Sequence, residues 1–98
     1  MGLPIEYHPA AENDLDEAVY YYARRVTALG AALHAEIERV EHLVSEQPES
    51  GAPLRGDLRR YLLRRFPYAL IYAVEPSRVY VVAVAHMRRR PGYWIVRR

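Results

Sequence analysis

"VYVVAVAHMRRRPGYW", residues 79–94, runs for nine residues without a charged side chain and then meets three consecutive arginines. Residues 79–86 are rich in valine and apolar at both odd and even positions, which is typical of a strand covered on both faces. The pattern therefore predicts a central strand, with helices on one side of the sheet. The arginines that follow are either the solvated edge of a small domain or a surface that meets an anion.

The segment before this strand predicts its partner. "YALIYAVE", residues 68–75, is also rich in strand-forming residues, and a short "EPSR" connection leads from it into residues 78–87. Pro76 suits the second position of a tight turn, so the two segments should form an antiparallel hairpin. A third strand-like segment, "LRRYLLRRF" at residues 58–66, precedes them.

The first half of the chain has a different period. "LPIEYHP", residues 3–9, alternates as a strand does, and Pro9 suits the first position of a helix. Apolar residues then recur at helical spacing in two segments, with a predicted break at residues 27–30. The two apolar stripes are Leu15, Val19, Tyr22 and Val26, then Leu33, Ile37, Val40 and Val44.

The predicted element order is β-α-α-β-β-β. It indicates an α+β fold in which an N-terminal strand and a two-helix hairpin pack on an antiparallel sheet. The length of 98 residues predicts one domain, residues 1–98. The absence of cysteine excludes disulfides and thiolate metal sites. Neither a membrane span nor a signal peptide is present in the sequence pattern, so we expect no membrane partner and a cytoplasmic location.

The charge is distributed unevenly along the chain. Residues 1–50 carry three arginines and ten carboxylates, whereas residues 51–98 carry eleven arginines and two carboxylates. Such asymmetry favours an anionic partner for the second half, although the halves could also neutralise each other within one fold. All fourteen basic residues other than histidine are arginine, which binds phosphate as a planar fork and is a poor general base.

The basic and aromatic residues of the second half are the predicted site for a partner or a nucleic acid. Alternation along residues 58–66 places two arginines on each strand face, and protection of a sheet edge explains some of them. Aromatic residues next to arginine are typical of nucleic-acid binding and of protein interfaces. The predicted set is Arg59, Arg60, Arg64, Arg65, Arg88, Arg89, Arg90, Tyr93 and Trp94.

His86 is the candidate for proton transfer, because its ordinary pKa lies near neutral pH. Strand alternation predicts that it shares a face with Tyr80, Val82 and Val84, where a purely structural role is the alternative. The other histidines lack the spacing of zinc ligands, so neither a metal nor a cofactor is predicted. The basic half holds only Asp57 and Glu75, too few carboxylates for a two-metal nuclease, so any nuclease activity should be metal-independent.

The second half, "QPESGAPLRGDLRRYLLRRFPYALIYAVEPSRVYVVAVAHMRRRPGYW", resembles the RelE/ParE toxins of bacterial type II toxin–antitoxin modules, often called plasmid stabilisation proteins. The opening "IEYHPAAENDLDEAVYYYA" is similar to their first strand and helix, so the resemblance covers nearly the whole chain. The residues that carry it are Pro48, Gly51, Leu54, Gly56, Arg59, Pro67, Tyr68, Tyr72, Val82, Val84, His86, Arg89, Pro91 and Trp94.

The resemblance implies the RelE/ParE toxin fold, toxicity, and a cognate antitoxin with an acidic C-terminal segment through which toxin copies could oligomerise. ParE-like members inhibit DNA gyrase without an established catalytic set, and the helical hairpin, "RFPYALIYAVE" and the lack of lysine favour that activity. RelE-like members are metal-independent ribonucleases that cut messenger RNA on the ribosome. In that alternative, Arg65, His86 and Tyr93 would be catalytic. A basic nucleic-acid-binding module is a third hypothesis, from charge alone.

Overall fold

The computed structural model describes residues 2–98, which form two helices on a mixed sheet of five strands. The elements in chain order are β1 (Ile5–Tyr7), α1 (Pro9–Arg25), α2 (Thr27–Glu46), β2 (Ala52–Arg55), β3 (Leu58–Leu62), β4 (Tyr68–Glu75) and β5 (Arg78–His86). The strand order in the sheet is β1-β5-β4-β3-β2. Short 3-10 turns, Pro48–Ser50 and Tyr93–Val96, flank the C-terminal strands.

The predicted fold class is confirmed, with two details added by the structure. β2 is a further strand, and β1 runs parallel to β5 while all other pairs are antiparallel. β2 escaped prediction because it is short and contains Pro53, which a sheet tolerates only at an edge. The direction of β1 depends on how the helical hairpin returns the chain to the sheet, which strand periodicity does not specify.

The two helices meet at a single extended residue. Val26, with φ −143°, ends α1 and precedes α2, so the break predicted at residues 27–30 is wrong. Gly30 lies inside α2 because the helices approach closely there: an added Cβ would be 2.7 Å from Ala23 Cβ. Neither helix within residues 2–98 has the length and hydropathy to span a bilayer.

The core lies between the helices and one face of the sheet. All four residues of the predicted α2 stripe, Leu33 to Val44, are buried, and they pack with Leu70, Tyr72 and Val81. The α1 stripe is only partly buried, and Val26 is exposed. Helix α1 instead buries small residues at the sheet, which leaves its aromatic residues nearer the surface.

β5 contains a β-bulge that changes its side-chain alternation. Ile71 pairs with Ala83 and Tyr72 with Val81, so Val82 is an extra residue in β5. Val81 faces the helices before the bulge and Val84 faces them after it. His86 therefore lies on the helix side beside Tyr68, and the prediction that it shares a face with Tyr80 and Val82 is wrong.

β3 ends four residues earlier than predicted. Residues 63–67 form a loop instead of a strand, so strand alternation does not apply to Arg64 and Arg65. The cause is a buried carboxylate: Glu36 of α2 accepts hydrogen bonds from the backbone N–H groups of both arginines. Those N–H groups are unavailable to a sheet partner.

The side chain of Tyr72 connects β4 to the turn that leaves α2. Its hydroxyl donates to the Pro48 carbonyl at 2.8 Å and accepts from the Gly51 N–H at 2.9 Å. The residue is completely buried. Tyr72 thus fixes the path by which the chain enters β2.

We expect Tyr72→Phe to lower the free energy of unfolding by about 1–3 kcal/mol, because the Gly51 N–H would be buried without an acceptor. Urea denaturation followed by circular dichroism measures the change. The matched control is Tyr20→Phe on the exposed face of α1, for which we expect a change within about 0.5 kcal/mol. Equal effects of the two substitutions would contradict this role of Tyr72.

Candidate functional site

A cleft of about 240 Å³ lies where β5 ends, between α1 and the C-terminal segment. It contains three of the predicted site residues, His86, Arg89 and Tyr93, which follow one another closely at the end of β5, and it places them against α1. Its lining consists of Asp14, Glu17, Ala18, Tyr21, Tyr68, Val84, His86, Arg89 and Tyr93. The cleft is therefore aromatic, with carboxylates on the α1 side and an arginine on the other.

Two basic loops lie side by side at this end of the sheet. Tyr68 pairs with His86, and the Met87 N–H donates to the Pro67 carbonyl at 2.8 Å, so loop 63–67 contacts the turn after β5. We call the five exposed arginines of these two loops the basic rim. Its members are Arg64, Arg65, Arg88, Arg89 and Arg90.

The backbone of the turn is fixed by His86. The imidazole Nδ1 accepts a hydrogen bond from the Arg88 N–H at 3.0 Å, and the His86 carbonyl accepts from the Arg89 N–H at 3.0 Å. The ring also packs edge-on against Tyr68, with 5.0 Å between ring centroids. Because the Nδ1 lone pair is engaged, only Nε2 is free to contact a ligand.

Tyr93 lies beneath two arginines. The Arg89 and Arg97 guanidinium carbons lie 3.6 and 4.9 Å from its ring centroid. Its hydroxyl is buried without a hydrogen-bond partner among residues 2–98. Burial, and next the charge of Asp14, raise the pKa of Tyr93 above its usual value, although both arginines oppose the shift. The phenol is therefore protonated at neutral pH and unsuited to act as a general base.

A buried ion pair that sequence reasoning missed holds the C-terminal segment in place. Arg97 donates to both carboxylate oxygens of Asp14, at 2.6 and 3.2 Å, and to the Val82 carbonyl at 3.0 Å. Asp14 also accepts from the Val84 N–H at 3.1 Å. Hydrogen bonding to Asp14 raises the pKa of Arg97. The partners lie 83 positions apart, and Asp14 is one of several acids in α1, so no local pattern singles them out.

Three other predicted residues lie away from the cleft and the rim. Arg59 donates to the backbone carbonyls of Glu49 and Gly51, at 3.2 and 2.8 Å, which explains it as a structural residue. Arg60 lies in the middle of β3, paired with Ile71. Trp94 packs on the sheet face opposite the helices. The predicted site residues thus fall into two groups: those of the cleft and the basic rim, and these three, which lie elsewhere.

A family model described as the ParE toxin of type II toxin–antitoxin system, parDE, matches residues 5–91. The chain belongs to the ParE toxin family. The curated "Toxin ParE2" of Mycobacterium tuberculosis, strains H37Rv and CDC 1551, is 27% identical over 93 residues, which cover 94% of this chain and 89% of the relative. The resemblance to this toxin superfamily seen in the sequence is thereby confirmed.

A solved structure supports the fold. The structure described as the chromosomal ParDE TA system from P. aeruginosa matches with a TM-score of 0.74 and 15% identity, over 86% of this chain and 95% of that chain. At this identity the match shows the fold alone. This ParE family member therefore shares the arrangement of helical hairpin and sheet with that structure.

We expect Arg97→Gln to lower the free energy of unfolding by about 3–5 kcal/mol, because Asp14 would remain buried without its counter-charge. The matched control is Arg98→Gln: Arg98 bonds to Asp57 and Glu75 on the surface, and such exposed pairs contribute little to stability. Urea denaturation of both variants measures the difference. If the two substitutions lower the free energy of unfolding by equally small amounts, the C-terminal segment does not depend on the buried pair.

Proposed function

We propose that this ParE-type toxin acts in the cytoplasm by binding and inhibiting DNA gyrase, without catalysing a reaction, and that a cognate antitoxin neutralises it. Membership of the ParE family supports a toxin. The ParE-like helical hairpin and the segment "RFPYALIYAVE", residues 65–75, support gyrase as the target. The absence of catalysis is proposed from one observation. Arg65, His86 and Tyr93, the residues that a ribonuclease would need, are not placed together for proton transfer.

Each of the three residues has another role or the wrong chemistry. Arg65 lies in loop 63–67 and outside the lining of the cleft. His86 uses Nδ1 to hold the Arg88 N–H. Tyr93 is covered by Arg89, and burial raises its pKa, so it would lose its proton less readily than an ordinary phenol. These features support a binding surface.

A metal-independent ribonuclease is the second candidate, because the cleft does gather an imidazole, a phenol and a guanidinium group. In that mechanism, His86 Nε2 would move the proton and Arg89 would accompany Arg65 in stabilising charge on the phosphate. The ribosome with its messenger RNA would then be the target in place of gyrase.

Supercoiling by gyrase and translation of a reporter, assayed side by side, separate the two candidates. We expect the wild type to block supercoiling and to leave the message uncut, and His86→Ala to change supercoiling inhibition less than tenfold. A ribonuclease that lost its proton-transfer group would slow by about a hundredfold or more. His34→Ala, at an exposed histidine of α2, is the matched control.

The opposite result would favour the ribonuclease. Message cut on ribosomes by the wild type, and protected in both His86→Ala and Arg65→Ala while His34→Ala behaves as wild type, would contradict the gyrase proposal. Intact supercoiling at saturating wild-type toxin would contradict it too.

The surface of α1 supports the antitoxin as a partner. Tyr20 and Tyr21 are 64% and 48% exposed, and Val26 is 52% exposed, a concentration of apolar area typical of interfaces. Arg24 and Arg25 stack on the two tyrosines, at 5.5 and 3.8 Å, and supply positive charge for an acidic segment. A disordered acidic tail that folds on binding can cover such a surface. Assembly of several toxin copies would then depend on the antitoxin.

Co-expression with the adjacent reading frame, followed by pull-down and native mass spectrometry, tests this partner. We expect a stable complex that is lost when the acidic C-terminal segment of the antitoxin is deleted. Tyr20→Ala with Tyr21→Ala should weaken the complex by about tenfold or more, as for interface aromatic residues. Val96→Ala, at another exposed apolar residue, is the control. A complex indifferent to both changes would contradict the proposal.

A further inference from the structure

The basic rim is the strongest charged feature that the proposed function leaves unexplained. We propose that it is a phosphate-binding surface for duplex DNA, through which the toxin holds the DNA backbone independently of base sequence. This inference rests on the proposed function in one respect: the bound duplex is taken to be the DNA that gyrase holds. The contact itself is a property of these five arginines.

The rim arginines differ from the internally paired arginines of the chain. Carboxylates form ion pairs with Arg39, Arg78, Arg97 and Arg98. Among residues 2–98, the five rim arginines form no ion pair. All five are exposed, and they lie in two loops joined by the Met87–Pro67 hydrogen bond. No ion pair among the described residues offsets the mutual repulsion of these five guanidinium groups, and a bound anion would reduce it.

The rim backbone is already ordered. Glu36 fixes the main chain at Arg64 and Arg65, and His86 fixes it at Arg88 and Arg89. Ordering before binding lowers the entropic cost of binding. Only the side chains remain to be immobilised, and the Arg89 guanidinium is already stacked on Tyr93.

The chemistry of the rim favours phosphate over an acidic polypeptide. Guanidinium groups bind phosphate oxygens as a planar fork, and protein–DNA interfaces are far more positive than protein–protein interfaces. The cores of protein interfaces are instead depleted of charge and rich in aromatic residues. Exposed aromatic residues of that kind occur on α1, at Tyr20 and Tyr21. The large exposed apolar residues at the rim are Leu62 and Met87, neither of which is aromatic.

The cleft explains why the contact should not read base sequence. Asp14 and Glu17 line its α1 side, next to Arg89. Asp14 is paired with Arg97, but the Glu17 carboxylate repels a phosphate that would have to enter the cleft with its base. Contact is therefore expected at the outer surface of the rim, along the DNA backbone, which carries no sequence information.

Fluorescence anisotropy of a labelled duplex, titrated with toxin at several KCl concentrations, tests the rim without gyrase. Five phosphate contacts predict a slope of log K against log salt of about −4.5, which is about 500-fold between 50 and 200 mM salt. The triple variant Arg88→Gln, Arg89→Gln, Arg90→Gln should reduce the slope to about −1.8. Circular dichroism confirms that the variant is folded.

Single substitutions provide the matched comparison. Arg65→Gln should reduce the magnitude of the slope by about 0.9. Arg55→Gln removes the same charge at the opposite end of the sheet, where β2 turns into β3, and should leave the slope unchanged. A wild-type slope near zero, rim variants that bind as wild type, or a polyglutamate peptide that binds as tightly as DNA at equal charge would each overturn the inference.

The supercoiling assay distinguishes this inference from the proposed function. We expect the triple variant to bind gyrase in a pull-down and to inhibit supercoiling at least tenfold less well than the wild type. Rim-dependent DNA binding by a toxin that leaves gyrase active would support the rim and contradict the gyrase proposal. Gyrase inhibition by a toxin without salt-dependent DNA binding would support the gyrase proposal and contradict the DNA-binding rim.

Discussion

The site depends on one buried ion pair at the open edge of β5. β1 pairs with β5 as far as Val81, and beyond that point Asp14 and Arg97 bond to the β5 backbone in place of a further strand. The same pair connects α1 to the C-terminal segment. Because burying either charge alone is costly, the helix, the bulged strand and the chain end are held together as a unit.

This arrangement determines where the surface residues lie. The bulge turns His86 toward the helices, and Arg97 brings the preceding 3-10 turn against the sheet, so that Tyr93 closes the cleft. The two basic loops meet at the same end of the sheet. The contacts that shape this surface are therefore internal to the fold. The residues that make those contacts need not touch the partner themselves.

Residue periodicity predicted much of this fold and little of its site. The α2 stripe and the β4–β5 hairpin followed from spacing and turn chemistry, because each depends on neighbours in sequence. The inserted Val82 and the loop at Arg64 did not. A helical carboxylate distant in sequence bonds to the backbone in each region: Asp14 to the Val84 N–H just after the bulge, and Glu36 to the Arg64 N–H. The carbonyl contacts of Arg59 could not be predicted either, because sequence does not distinguish a guanidinium that holds carbonyls from one that faces solvent.

Glu36 has an evolutionary consequence. It holds loop 63–67 through main-chain N–H groups, which every residue except proline possesses. The shape of the loop is therefore largely independent of which side chains it carries. Substitutions at positions 64 and 65 can change what the loop recognises while its conformation is inherited, so that a toxin could diverge toward new targets without first losing its fold.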